Sequence, residues 1–204
     1  MNDFPRISTN TLSHDNEPND TIASRFEGLA ARISDNLALI TPEASLTYRE
    51  LDGLARRMAA RIAALAPDPA RPVGLLMREG ALLYASMIGA AKARRIFVPF
   101  ETTIGEERLS RLIALSGACH VLADDRNGDA AKRAAGPGAD ATVLSLNELR
   151  SLGAAVLPRA QSSEDSPACV LFTSGSSGEP KGVLLSQRSM VHGADSMGEP
   201  LQIQ

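Results

Sequence analysis

A chain of 204 residues with a 44% hydrophobic share can bury a core as one large or two small domains, and this composition is ordinary for a soluble globular protein. A net charge of -3 removes any general electrostatic reason to bind nucleic acid or an anionic membrane, so an anionic ligand needs a local site. The two cysteines, Cys119 and Cys169, are far apart and form no CxxC pair, which argues against a disulfide framework or zinc ribbon and for a reducing cytoplasm.

Residues 1–20, "MNDFPRISTNTLSHDNEPND", are polar, lack a basic region ahead of an apolar core, and read as a disordered leader without an export signal. Helical spacing follows at Ile22, Phe26, Leu29 and Ile33, then strand-like "LALI" and "SLTY" flank the turn "TPEA". In "TYRELDGLARRMAARIAAL", Leu51, Leu54, Met58, Ile62 and Leu65 share one helical face with Arg56, Arg57 and Arg61 largely off it, and Thr47 and Glu50 match a capping box. A buried strand, "PVGLLM", precedes an apolar helix from Gly80 to about Ala93, whose stretch "GALLYASMIGAA" falls well short of the ~20 residues that cross a bilayer.

The strand "IFVPF" comes next, then a helix from Gly105 to Ser116, with Thr103 and Glu106 spaced as a capping box at its start. "HVLAD", a short helix near 128–135, "TVLSL" and a helix after Ser145 with Glu148 at its cap repeat the scheme. Alternating strands and helices imply right-handed βαβ units, hence an α/β fold with a mainly parallel sheet covered by helices. After a polar connection at 158–167, "ACVLFT" and "GVLLS" read as strands joined by a loop without apolar side chains.

That loop, "SGSSGEPK", is not a Walker A motif, because Pro180 precedes Lys181 and a strand-like run follows. Nor does the chain carry a dinucleotide fingerprint, since Gly74 and Gly80 are wrongly spaced. As a mobile flap it suits phosphate: glycines let the backbone approach an anion, hydroxyls of Thr173, Ser174, Ser176 and Ser177 donate, Lys181 supplies a point charge, and Pro180 fixes the chain before it. The same residue types also make a plain surface hairpin loop, and Ser176 with Glu179 has capping-box spacing, although Pro180-Lys181-Gly182 begins a helix poorly. Residue types alone leave these readings open.

"LFTSGSSGEPKGV" closely resembles the phosphate-loop signature of the adenylate-forming enzymes, [YF]-T-S-G-[ST]-T-G-x-P-K-G, the superfamily of nonribosomal peptide synthetase adenylation domains, acyl-CoA synthetases and firefly luciferase. "LTYRELDGLARRMA" resembles its first core motif, and "AAKARRIFVPFE" with "ERLSRLIALSGACHVLAD" its second and the unit beyond, so the likeness spans most of residues 22–192. The resemblance implies ATP-dependent activation of an amino, aryl or fatty carboxylate to an acyl adenylate with release of pyrophosphate, then transfer to the thiol of coenzyme A or a phosphopantetheinyl carrier protein. It also implies that Thr173, Ser174, Gly175, Ser176, Ser177, Gly178 and Lys181 hold the β- and γ-phosphates of ATP with Mg2+. Ser177 stands for the usual threonine and keeps the hydroxyl. Arg94 stands where K-A-G has glycine, so a different helix exit is expected there. Gln187 stands where a histidine often follows the small hydroxyl residue.

By the same likeness, residues 1–20 form a leader and 21–204 part of the enzyme's N-terminal subdomain. No segment matches the motifs for the adenine site, the ribose-binding aspartate, the acyl pocket or the mobile C-terminal domain. The chain is therefore expected to carry the phosphate loop without catalysing alone. The alternative is a non-catalytic remnant or interaction module with at most weak nucleotide binding, and either reading exposes sheet edges that favour self-association. No metal beyond the magnesium carried with ATP is expected: adjacent Cys119 and His120 point to opposite faces of a strand, far from Cys169 and His192. Lys92, Arg94 and Arg95 read as an anion patch or as a basic helix end placed by the helix dipole, and Glu106-Glu107-Arg108 as a helix start rather than an acid–base pair.

Overall fold

The computed structural model describes residues 20–66, 68, 70–136, 138–153, 163–174 and 180–198. Helix α1 (Ile22–Arg32) starts at Thr21, whose hydroxyl accepts the Ser24 N–H at 3.1 Å while the Ser24 hydroxyl accepts the Thr21 N–H at 2.9 Å. A small antiparallel pair follows, β1 (Leu37–Ile40) and β2 (Ser45–Thr47). The expected capping box then starts α2 (Tyr48–Leu65): Glu50 Oε2 accepts the Thr47 N–H at 2.8 Å and Thr47 Oγ1 accepts the Glu50 N–H. Its apolar stripe buries Leu51, Leu54, Met58 and Ile62.

Six strands form the main sheet: β3 (Val73–Leu76), β4 (Phe97–Pro99), β5 (His120–Ala123), β6 (Asp140–Val143), β7 (Pro167–Ser174) and β8 (Pro180–Ser186). Their order is β6-β5-β3-β4-β7-β8; every pairing is parallel except β7 with β8. The crossovers are α3 (Ala81–Lys92), α4 (Glu106–Ser116), α5 (Gly128–Ala135) and α6 (Leu146–Ser151), and α7 (Gln187–Gly198) follows β8. One face of the sheet buries Val73, Leu75, Phe97 and Leu122 together with Leu54, Met58 and Ile62 of α2 and Leu149 of α6. The other buries Leu76, Val98 and Val121 against Leu109 and Leu112 of α4 and Ala131 of α5. The α/β reading with a mainly parallel, helix-covered sheet is what the chain adopts. No helix among the described residues is long and apolar enough to cross a membrane.

Three local expectations are corrected. Thr103 and Glu106 form no capping box: residues 102–104 turn so that Ile104 packs on the second core, α4 starts after Gly105, and Glu106 reaches Arg133 of α5 at 2.6 Å. The strand expected over 142–146 runs instead from Asp140 to Val143, because Ser145 caps α6 with Glu148 at its third position. The exit of α3 keeps its left-handed turn although Arg94 replaces glycine: Arg94 sits at φ 57°, its N–H donates to Ala91 O and that of Arg95 to Ala90 O. These two backbone bonds are the Schellman pair that normally accompanies glycine, and they offset the steric cost of a side chain there.

Lys92 of the basic cluster is not available to an outside anion. The Lys92 side chain is only 2% exposed and its Nζ pairs with Glu27 of α1 and with Asp52 Oδ1 of α2 at 3.0 Å, so its charge is engaged inside the fold.

Candidate functional site

Strands β7 and β8 form a long hairpin whose register pairs Phe172 with Gly182, Thr173 with Lys181 and Ser174 with Pro180. Directly opposed residues of an antiparallel pair share a face, so Thr173 and Lys181 stand side by side where the hairpin opens into its loop. Both are exposed. Thr173 Oγ1 lies 3.5 Å from the Lys181 carbonyl oxygen, a long contact that leaves the hydroxyl free to turn. Lys181 has no ion-pair partner among the described residues, in contrast to Lys92. Gly182 permits the close crossing beside them: a Cβ there would lie 3.3 Å from Val170 Cγ1 and 3.4 Å from Phe172 Cε1.

Of the expected phosphate-holding residues, Thr173 and Lys181 are therefore adjacent, and Ser174 ends β7 beside them. Gly175, Ser176, Ser177 and Gly178 lie outside the described residues, as does Glu179 with its suggested cap to Ser176. Because β7 runs parallel to β4, its end at Ser174 lies towards the carboxyl edge of the sheet, the edge at which α/β folds present ligand sites. An open groove of about 640 Å³ touches Val170, Phe172 and Leu184, which alternate to the opposite face of the hairpin, so it is a separate feature.

A second location on this edge was not singled out by sequence. Chain order reverses between β3 and β5, and at their carboxyl ends the Asp124 carboxylate is 5% exposed. It accepts from the Arg78 N–H and Nε at 2.9 and 3.0 Å and from the Asn127 N–H and Nδ2 at 3.0 and 2.7 Å. Burial opposes its ionisation, but the Arg78 N–H, the Asn127 amides and the Arg78 charge outweigh that and hold it below the usual carboxylate range. Its acceptors are taken up by the chain itself, so Asp124 here joins Arg78 to Asn127 as a structural acceptor.

The remaining candidates have structural partners. Cys119 Sγ points to Pro72 O at 3.6 Å, while His120 is buried with Nε2 2.8 Å from Thr142 Oγ1. Burial pushes the Cys169 thiol up to about 12, which makes it an inert core residue. His192 lies on α7 beside Ser196. No three His, Cys, Asp or Glu side chains among the described residues converge as metal ligands. Gln187, noted in the sequence only as a substitution for histidine, is 2% exposed, and its Oε1 accepts the Ile22 N–H of α1 at 3.1 Å.

Fold and site together define an α/β protein in which a mainly parallel sheet ends in an antiparallel strand pair carrying Thr173 beside Lys181. The profile of the AMP-binding enzyme family matches residues 26–203, and the chain belongs to that family, the adenylate-forming enzymes. Phosphinothricin tripeptide synthetase PhsC of Streptomyces viridochromogenes is 33% identical over 83% of this chain, which spans 16% of that protein's length. The inhibitor-bound N-terminal domain of FACL13 from Mycobacterium tuberculosis superposes with a TM-score of 0.81 at 25% identity, over 91% of this chain and 49% of that one. The AMPPNP-bound form of the nonribosomal peptide synthetase FmoA3 superposes with a TM-score of 0.77 at 26% identity, over 92% of this chain and 19% of that one.

Proposed function

We propose that this chain supplies the triphosphate grip of an AMP-forming ligase, an enzyme that joins a carboxylate to ATP, releases pyrophosphate and passes the acyl group to a thiol. The observation that carries this reading is the pairing of Thr173 with Lys181 at the mouth of the hairpin loop, one hydroxyl and one exposed ammonium on the same face. Such a pair fits phosphate oxygens: the hydroxyl donates one hydrogen bond and the ammonium up to three while offsetting negative charge. The AMPPNP-bound state of FmoA3 supports ATP as the nucleotide. On this reading Thr173, Ser174, Gly175, Ser176, Ser177, Gly178 and Lys181 hold the β- and γ-phosphates of ATP, with Mg2+ travelling on the nucleotide. Residues 21–204 then form part of the N-terminal subdomain, and the acid substrate and the acceptor, coenzyme A or a carrier-protein thiol, belong to the reaction of the enzyme that contains it.

Titration of the full chain with magnesium–ATP tests the grip. Saturable binding that weakens roughly tenfold or more in Lys181→Ala is expected, since a charge-assisted hydrogen bond contributes about 1.5–3 kcal/mol. Equal affinity in the variant, or no binding by the parent chain, ends the reading.

One observation favours an added role in association. Among the described strands β8 ends the sheet, and Val183 and Leu184 on it are 44% and 57% exposed. Such an edge is self-complementary for a second copy of the chain about a twofold axis. Sizing at several concentrations tests it, and a concentration-independent monomer excludes it.

A further inference from the structure

We infer that Gln187 is a positioning residue: it ties the base of the β7–β8 hairpin to the N-terminus of α1 and thereby sets the direction in which the hairpin carries its loop.

Strand pairing alone sets the direction of the hairpin only loosely. Its two strands pair with one another from Pro167 to Ser174, yet β7 meets β4 in register only at Phe97 and Cys169, and β8 has no outer neighbour among the described strands. From Cys169 to Ser174 the hairpin runs roughly 17 Å beyond that register pair at the usual strand rise, with Val170 and Phe172 resting on the second core. A pivot of about 10° at the base would move the tip by about 3 Å, when a misplacement of about 1 Å already spoils the alignment of catalytic groups.

Most bonds at the base join the hairpin's own ends. The Gln187 N–H donates to Ser166 O at 2.9 Å, the Arg188 N–H to Glu164 O at 2.7 Å, and the Arg188 guanidinium pairs with Glu164 and Asp165. These close the hairpin on itself. Apolar attachment to the body comes from Ala168 and Cys169 in the first core and from Val170 and Phe172 against the second, while the polar attachment to α1 is the Gln187 side chain, which reaches across 165 residues of sequence to Ile22. Ile22 is the first residue of α1, so its N–H has no partner inside the helix, and Thr21 spends its own cap on Ser24. A backbone N–H can only donate, so the amide oxygen must face it. Arg25 of α1 strengthens the same joint by pairing with Asp195 of α7 and with Asp20. α1 is in turn fastened to the main body where Glu27 meets Lys92. The path runs from loop to hairpin base, through Gln187 to α1, and on into the core.

The tie itself stands on these contacts; its consequence for nucleotide rests on the phosphate-grip reading above. The test uses the full chain with Gln187→Leu, which keeps size and removes the acceptor, Gln187→Glu, which keeps an acceptor and suits a helix N-terminus, and Ile22→Pro, which removes the donor at a position proline favours. Residue-resolved amide hydrogen exchange and magnesium–ATP affinity are measured for each. Gln187→Leu is expected to speed exchange at Ile22 and along β7–β8 at least tenfold, to leave β3 and β5 unchanged, and to weaken nucleotide binding about tenfold. Gln187→Glu is expected to behave as the parent, and Ile22→Pro to add nothing to hairpin exchange once Gln187 is Leu. Should Gln187→Leu fail to fold, Ile22→Pro alone carries the same comparison. The inference fails if only Ile22 opens while the hairpin exchanges as before, if β3 and β5 speed up equally, or if Gln187→Glu does not restore protection. A parent chain that binds no nucleotide would defeat the phosphate grip, while the exchange data would still decide the tie.

Discussion

The Lys92 ammonium lies 3.0 Å from Asp52 Oδ1, joining α3 to α2 with side chains that are 2% and 13% exposed. Glu27 of α1, half exposed, pairs with the same nitrogen, and Arg56 Nε donates to Asp52 Oδ2 at 2.6 Å. Breaking a buried pair from one side costs about 3–5 kcal/mol because a charge is left uncompensated, but Arg56 retains part of the compensation here. Lys92→Met should therefore destabilise by about 2–3 kcal/mol in urea unfolding. A loss below about 0.5 kcal/mol would mean that the cluster contributes no more than an exposed salt bridge does.

Arg94 offers the opposite sign. It is exposed and holds φ 57° at the end of α3, where only glycine avoids steric cost. Relief of that cost is about 1–2 kcal/mol, from which the greater freedom of glycine in the unfolded chain subtracts roughly 0.4–1 kcal/mol. Arg94→Gly should raise stability by up to about 1 kcal/mol, and Arg94→Val should lower it by at least as much. The two thermal midpoints, measured against the parent chain, check the order.

How far such details are readable from sequence depends on how local their causes are. The boxes at Thr47-Glu50 and Ser145-Glu148 are readable because a short spacing encodes both bonds. The one at Thr21-Ser24 is hidden because serine replaces the usual Glu or Gln, and Thr103-Glu106 has the right spacing in a stretch that turns instead. Strand positions follow from apolar runs, but the placing of β3 between β5 and β4 is set by packing on both faces and leaves no local mark. At the site, Thr173 and Lys181 are legible from motif spacing, whereas the bond from Ile22 to Gln187 joins the two ends of the fold and has no sequence period to reveal it.

His120 makes stability depend on pH. Burial disfavours its charged form, Asp140 opposes that and Arg61 reinforces it, so the folded protein holds the imidazole below its ordinary range. The unfolded chain then binds the proton more readily, with a pKa of about 6.5. The contribution is fully present above that value and is lost as pH falls from about 6.5 towards the lower folded value. Urea midpoints for the parent should drop between pH 7.5 and 5.5, and His120→Gln should flatten that drop. Glu50 and Glu148, whose carboxylates are held low by the cap N–H groups of Thr47 and Ser145, add a separate loss in more acidic solution. Identical slopes for parent and variant between pH 7.5 and 5.5 would remove His120 as the cause.

Thr173 allows the hydroxyl to be separated from the strand that carries it. Valine keeps the branched shape that suits β7 and removes the hydroxyl, and because Thr173 is exposed with a long 3.5 Å contact to Lys181 O, little internal bonding is lost. Thr173→Val should leave the unfolding midpoint within about 0.5 kcal/mol of the parent, as surface substitutions generally do. Its affinity for magnesium–ATP should nevertheless fall about tenfold, and Thr173→Ser, which restores the hydroxyl, should recover most of it. Calorimetric titration of the three chains decides the point. Equal affinity in Thr173→Val would show that Lys181 holds phosphate without its neighbour, whereas a loss that serine does not recover would trace the effect to the strand and not to the hydroxyl.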